Sequence, residues 1–228
     1  MVGVKRVSPA AKQPDSQLTN VQHVGKGGTV VRLPQTGRTD AELMAALRRG
    51  ESWAAGALLD RHGPLVERLI RRILGQDPEL ADLVQDAFMT ILTSLDQVRD
   101  DNAVKAWMSS IAVHTAHRAI RRRKLSRWIF FWQKDETLDA PARDADFAAR
   151  ECVRHVYVAL DQLPAEDRIV FALRFIEEMQ LDDIAESCGV SLATIKRRIA
   201  RAEQRFAAIA QRDPVLRPWL EEGRRWTT

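Results

Sequence analysis

The sequence predicts an all-α protein in which a flexible linker joins two small helical domains, the second containing a helix-turn-helix. Three observations predict it. Apolar residues recur at helical spacing from Asp40 to about Arg212, and strand signals are nearly absent. One internal stretch, residues 126–150, loses that periodicity, contains Pro141 and turns acidic. A chain of 228 residues has room for two such domains. At 45% hydrophobic and 29% charged, it is too apolar to be disordered throughout.

Residues 1–39 are rich in Gly, Pro, Gln, Ser and Thr and read as a disordered N-terminal arm, with strand character only from Thr29 to Leu33. Asp40 is the expected N-cap of the first helix, with Leu43, Met44 and Leu47 on one face and Gly50 at its end. Trp53, Ala57 and Leu58 continue the spacing as far as Gly63-Pro64, where a break is expected. Leu65, Val66, Leu69, Ile70, Ile73 and Leu74 form the next stripe, which Gly75 and Asp77-Pro78 end. Leu80, Leu83, Val84, Ala87, Phe88, Ile91, Leu92 and Leu95 line another helix, followed by a polar loop, Asp96 to Ala103. Val104, Trp107, Met108, Ile111, Ala112, Thr115 and Ala119 then trace a long helix to about Arg123. Four or five helices with short connections imply a compact first domain, residues 40–125.

Residues 151–212 repeat the pattern on a smaller scale. A helix runs through Leu160, Leu163-Pro164 breaks the chain, and a helix spans Ala165 to Ile176. The segment "LDDIAESCGVSLATIKRRIARAEQRF", Leu181 to Phe206, is the most informative. Leu181, Ile184, Ala185 and Cys188 share one face of a short helix. Gly189 supplies the positive φ of a tight turn, and Ser191 caps the next helix through its hydroxyl. Ile195, Ile199, Ala202 and Phe206 point inward, leaving Thr194, Lys196, Arg197, Arg198, Arg201 and Arg205 outside. A basic second helix after a glycine turn fits DNA reading in the major groove. An ordinary helical hairpin with a solvated basic face is the bland alternative. A C-terminal tail, residues 213–228, follows, its Trp219 and Trp226 suggesting a docking surface.

The charge distribution sharpens this. Formal net charge is only +4, yet residues 118–127 hold six cations and no acid, and residues 191–212 hold six bases and one acid. Two short basic patches on otherwise acidic segments suggest two contacts with a polyanion. Cys152 and Cys188 are isolated and lack metal-ligand spacing, so a reducing cytoplasmic location is expected and no metal or cofactor. His114 and His117, at i and i+3, are the nearest approach to a metal pair, without a companion Cys or carboxylate in ligand spacing. No apolar run approaches the roughly 20 residues that span a bilayer. No nucleophile-base pairing, Gly-rich phosphate loop or metal quartet argues for an enzyme.

Five stretches together carry a resemblance: "DLVQDAF" (Asp82 to Phe88), "AWMSSIAVHTAHRAIRRRK" (Ala106 to Lys124), "LPAEDRIVF" (Leu163 to Phe171), "LDDIAESCGV" (Leu181 to Val190) and "SLATIKRR" (Ser191 to Arg198). In this order, with a linker between domains, they resemble the extracytoplasmic-function sigma factors, the minimal two-domain class of bacterial RNA polymerase specificity subunits. The resemblance covers roughly residues 40–210.

It implies a transcription initiation factor, not an enzyme, with core RNA polymerase and promoter DNA as partners. A stand-alone helix-turn-helix regulator is the alternative, and it offers no account of "DLVQDAF". The helix carrying Asp82, Leu83, Gln85, Asp86 and Phe88 would dock on the clamp coiled coil of the polymerase. Lys105, His114, His117, Arg118, Arg121 and Arg122 would capture the melted −10 element, which needs cations for phosphates and faces for unpaired bases. Ser191, Thr194, Lys196, Arg197, Arg198 and Arg201 would read the −35 duplex. An anti-sigma factor is an expected further partner. His114 and Arg118 stand where relatives usually show Asn and Asp, which points to an unusual −10 preference. "WIFFW", Trp128 to Trp132, is expected to pack on polymerase or on the first domain; membrane attachment is its rival.

Overall fold

The computed structural model describes residues 38–98, 100, 103–129 and 145–221. The expected N-terminal arm up to Gly37, the strand at Thr29 to Leu33, the linker from Phe130 to Asp144 and Trp226 lie outside the described residues.

The helix α1 (Asp40–Arg48) is capped by Thr39 rather than by Asp40. Thr39 Oγ1 accepts from the Glu42 amide at 3.2 Å, and the Glu42 carboxylate accepts from the Thr39 amide at 2.6 Å. This reciprocal box satisfies two amides that the first turn leaves open. Asp40 is thereby released to accept from Arg61 at 2.7 Å and to meet His62 Nε2 at 3.0 Å.

Next, α2 (Ser52–Leu74) passes straight through Gly63-Pro64, where the sequence predicts a break. Proline removes one amide donor and crowds the preceding turn, a penalty of about 3 kcal/mol. The buried stripe Ala57, Leu58, Val66, Leu69, Ile70 and Ile73 stays in phase across it, and burying each large side chain returns about 1.5–3 kcal/mol. Burial wins. Gly63 has its own use, because a Cβ there would sit 3.2 Å from the Phe88 ring.

The chain then forms α3 (Leu80–Thr93), a short 3₁₀ turn (Leu95–Gln97) and α4 (Val104–Ile129), which outruns its expected end at Arg123. The second half comprises α5 (Ala145–Asp161), α6 (Ala165–Phe171) with a π-helical turn (Ala172–Ile176), α7 (Leu181–Cys188), α8 (Leu192–Ala210) and α9 (Arg217–Glu221). Gly189 takes φ 64° between α7 and α8, and Ser191 Oγ accepts from the Thr194 amide at 3.3 Å. Ile195, Ile199, Ala202 and Phe206 are buried, as their spacing requires. The tail begins inside the fold: Asp213 accepts from the Val215 and Leu216 amides at 2.8 and 3.1 Å, and Leu216 is buried.

The two helical bundles do not stand apart. On one side α4 packs against α2 and α3, and on the other against α6 and α7, so a single hydrophobic core runs through both halves. The C-terminal carbonyls of α2 have no partner within their own helix. The second bundle supplies the donors. Tyr157 Oη donates to the Arg72 carbonyl at 3.0 Å, and Arg168 donates to the carbonyls of Ile73 and Leu74, each at 2.9 Å. Gly75, at φ 78°, leaves room for this approach, since a Cβ would lie 2.6 Å from the Tyr157 ring.

Candidate functional site

Three surfaces hold the residues singled out in the sequence. The first is the outer ridge of α3. Asp82, Gln85 and Asp86 are exposed along one stripe, and Met89, 55% exposed, continues it one turn further. Leu83 is buried and Phe88 half-buried against Gly63, so both pack into the bundle beneath the exposed stripe. The spacing of the apolar stripe already put Leu83 and Phe88 inside; Met89 was missed because it is an apolar residue one position off that stripe.

The second surface is α4. His114, Arg118, Arg121 and Arg122 are exposed and fall within about a third of a turn of each other, at 100° per residue. His117 faces instead toward the second bundle, where its Nε2 lies 3.3 Å from Glu166 Oε1. Lys105 is exposed nine residues before His114, half a turn round the helix and at its other end. The −10 candidates therefore do not form one patch. Four cluster, and two stand elsewhere.

Not all of these cations are equally available. Arg122 donates to Glu79 at 2.7 Å, and Arg123, absent from the sequence-based set, is bidentate to Asp77 and also reaches Glu79 at 3.0 Å. The bonds from Arg123 and then Arg122 hold the Glu79 carboxyl below its usual range. Burial works against the charge on Arg123, but the bonds to Asp77 and Glu79 outweigh it and raise its pKa. Between α3 and α4 lies a groove of about 510 Å³ lined by Asp86, Met89, Thr90, Thr93, Thr115, Arg118 and Arg122 among others. It brings together residues assigned separately to polymerase and to the −10 element.

The third surface is α8. Lys196 and Arg197 are exposed near its start and make no ion pair among the described residues, and Arg198 is half-buried beside them. Thr194 and Ser191 are taken up by the cap, their hydroxyls 3.0 Å apart. Arg201 is committed inward. Its Nε and a terminal nitrogen donate to Asp167 at 3.1 and 2.6 Å, and Arg205 joins the same carboxylate. Asp167 is fully buried, whereas Arg201 and Arg205 are 44% and 46% exposed. Arg201 thus serves first to fasten α8 to α6. Asp167 escaped the sequence reading because an acid two residues into a helix looks like a dipole-stabilising surface residue.

Among the described residues no His, Cys, Asp and Glu cluster has the makings of a metal site, and no helix is long and apolar enough to cross a membrane.

The first bundle and the helix-turn-helix of the second each present an exposed cationic face, and comparison with known proteins gives the class to which such a pair belongs, the sigma factors. The family models for sigma-70 region 2 and sigma-70 region 4 match residues 58–126 and 154–206. The ECF sigma factor SigM of Mycobacterium tuberculosis is 31% identical over 177 residues, spanning 75% of this chain and 85% of that protein. Sigma factor SigV of Bacillus subtilis is 32% identical over 130 residues, 57% of this chain and 74% of its own length. Among solved structures, CnrH in complex with the cytosolic domain of CnrY matches with a TM-score of 0.53 at 26% identity, covering 76% of this chain and 98% of that one. The chain belongs to the extracytoplasmic-function class of RNA polymerase sigma factors.

Proposed function

We propose that the chain is a non-catalytic, cytoplasmic initiation factor whose surfaces divide the labour by position. Residues 40–125 form the unit that holds core polymerase and the −10 element, residues 151–212 the unit that reads the −35 element, and residues 126–150 the connection. Asp82, Gln85, Asp86 and Met89 dock on polymerase. His114, Arg118, Arg121 and Arg122 meet the melted strand, whose phosphates need cations and whose bases need pockets such as the α3–α4 groove. Lys196 and Arg197 approach the −35 duplex from the free start of α8.

The carrying observation is the order of the two sigma regions along the chain, each falling on a bundle with an exposed cationic face. Two similar structures hold a second protein, CnrH with the cytosolic domain of CnrY and the sigma factor RpoE of Bartonella quintana with the anti-sigma factor NepR, and an anti-sigma partner is proposed here too. The test is reconstituted transcription. Core polymerase with the purified chain should yield promoter-dependent transcripts that core alone does not, and tight duplex binding with no effect of polymerase would overturn the proposal in favour of a stand-alone regulator.

A further inference from the structure

The groove between α3 and α4 carries an inference that rests on the proposed function and deepens it, because its side chains specify which base it takes. Leu83, Ala119 and Thr115, each buried, close its floor. Its walls are polar, and most of the polar groups there are engaged. Thr90 Oγ1 donates to the Asp86 carbonyl at 2.9 Å, Thr93 Oγ1 donates to the Met89 carbonyl at 2.7 Å, and Arg122 is held by Glu79 at 2.7 Å. Two charged groups are not engaged in this way. The Asp86 carboxylate has no bonded partner among the described residues, and the Arg118 guanidinium makes one long contact there, to Thr115 Oγ1 at 3.4 Å. These two opposite charges line the same groove, one from each helix, and do not bond to each other. Asp86 stands where the groove meets the exposed ridge of α3.

An ionised carboxylate only accepts hydrogen bonds, and a guanidinium only donates them. The ligand that satisfies both at full strength is flat, with two adjacent donors on one edge and two adjacent acceptors on another. Guanine has that outline. Its N1–H and N2–H groups suit a bidentate carboxylate, and its O6 and N7 suit a bidentate arginine. On cytosine and adenine the amino group stands beside ring acceptors, and on thymine the single N–H lies between two carbonyls. A carboxylate set for two donors therefore meets a lone pair on each of those bases. Met89, 55% exposed on the same groove, supplies a polarisable thioether for contact with a ring.

We propose that the α3–α4 groove is a site for one unpaired guanine of the melted strand, with Asp86 on its N1–H and N2–H edge and Arg118 on its O6 and N7 edge. In a duplex, cytosine occupies the first of these edges, and only the O6 and N7 edge faces the major groove. The site thus separates open from closed DNA as well as one base from the other three. It also explains why a lone cation and a lone anion share one groove: neither alone discriminates guanine, and the two together do.

The experiment titrates the full chain, at low salt, into a labelled single strand of thymines about ten nucleotides long with one central guanine, and reads fluorescence anisotropy. The guanine strand should bind at least about fivefold tighter than strands with adenine, cytosine or thymine at that position, the low end of what one bidentate pair contributes. Base analogues then assign the edges. Hypoxanthine, which lacks the N2 amine, and 7-deazaguanine, which lacks N7, should each weaken binding roughly threefold to tenfold. The hypoxanthine loss should vanish in Asp86→Asn and the 7-deazaguanine loss in Arg118→Gln, as a double-mutant cycle requires of groups in contact. Both side chains are exposed, so neither substitution disturbs the core. Equal affinity for all four strands, no measurable binding of any, or analogue losses that both variants retain would overturn the assignment. Guanosine monophosphate competing as well as the guanine strand at equal concentration would give the groove to a free nucleotide and overturn the strand reading. Guanine preference without promoter-dependent transcription by core polymerase would count against the proposed function alone, and transcription without guanine preference against the groove alone.

Discussion

Asp167 offers the sharpest energetic test. Its carboxylate is fully buried and is neutralised by Arg201 and Arg205, which reach it from half-exposed positions on α8. Removing both arginines leaves a buried anion without its counter-charges, and breaking a buried pair in this way costs about 3–5 kcal/mol. The half-exposed arginine sites admit water, so the lower figure, about 3 kcal/mol, is expected. Replacing the acid by its amide has a different effect. Asp167→Asn removes the buried charge, frees both arginines into solvent and leaves an amide that still accepts a bond, for a loss of about 1–2 kcal/mol. The double variant Arg201→Ala with Arg205→Ala should therefore be less stable than Asp167→Asn, and adding Asp167→Asn to it should restore stability. For a protein of this size, about 1 kcal/mol moves the melting temperature by about 2–4 °C. Urea unfolding followed by far-ultraviolet circular dichroism reads all three. Equal losses in the double variant and in Asp167→Asn would refute the reasoning, because the carboxylate would then not depend on the arginines.

The two kinds of arginine on α8 should also separate by salt. Arg197→Ala should flatten the slope of log affinity for −35 duplex against log salt by about 0.9, the signature of one lost phosphate contact, while Arg201→Ala should leave the slope alone. Alanine at Asp82, Gln85 and Asp86 together should weaken core polymerase binding by at least tenfold in a pull-down titration while changing unfolding free energy by under about 0.5 kcal/mol per site, since all three are exposed. Burial pushes the Cys188 thiol up to about 11, so between its ordinary value and that point the unfolded chain has lost the proton and the folded chain has not. Stability should thus fall as pH rises through that window, by about 1.4 kcal/mol per unit from this group, and Cys188→Ala should reduce the fall in pH-dependent urea titrations. Gly189→Ala meets only the penalty of a left-handed backbone, about 1 kcal/mol, whereas Gly75→Ala adds a clash with Tyr157 and should lower the melting temperature further.

The sequence alone determined the helices, the glycine turn and capping serine before α8, and the identity of the outward-facing acids on α3. These depend on neighbours three or four positions away, and the chain order states those neighbours directly. Pro64 shows the limit of that logic, because a local breaker was overruled by a stripe of buried side chains whose partners lie on α3 and α4. Thr39 replaced Asp40 as a cap because Asp40 had two better partners twenty-one and twenty-two residues away. Only the tertiary structure decided that Arg201 faces a buried carboxylate, that His117 turns from the −10 patch toward Glu166, and that Arg168 closes the end of a helix in the other bundle. Each of those assignments pairs residues between 34 and 95 positions apart. Periodicity ranks positions by face, and it carries no information about which distant group a long, flexible arginine will find.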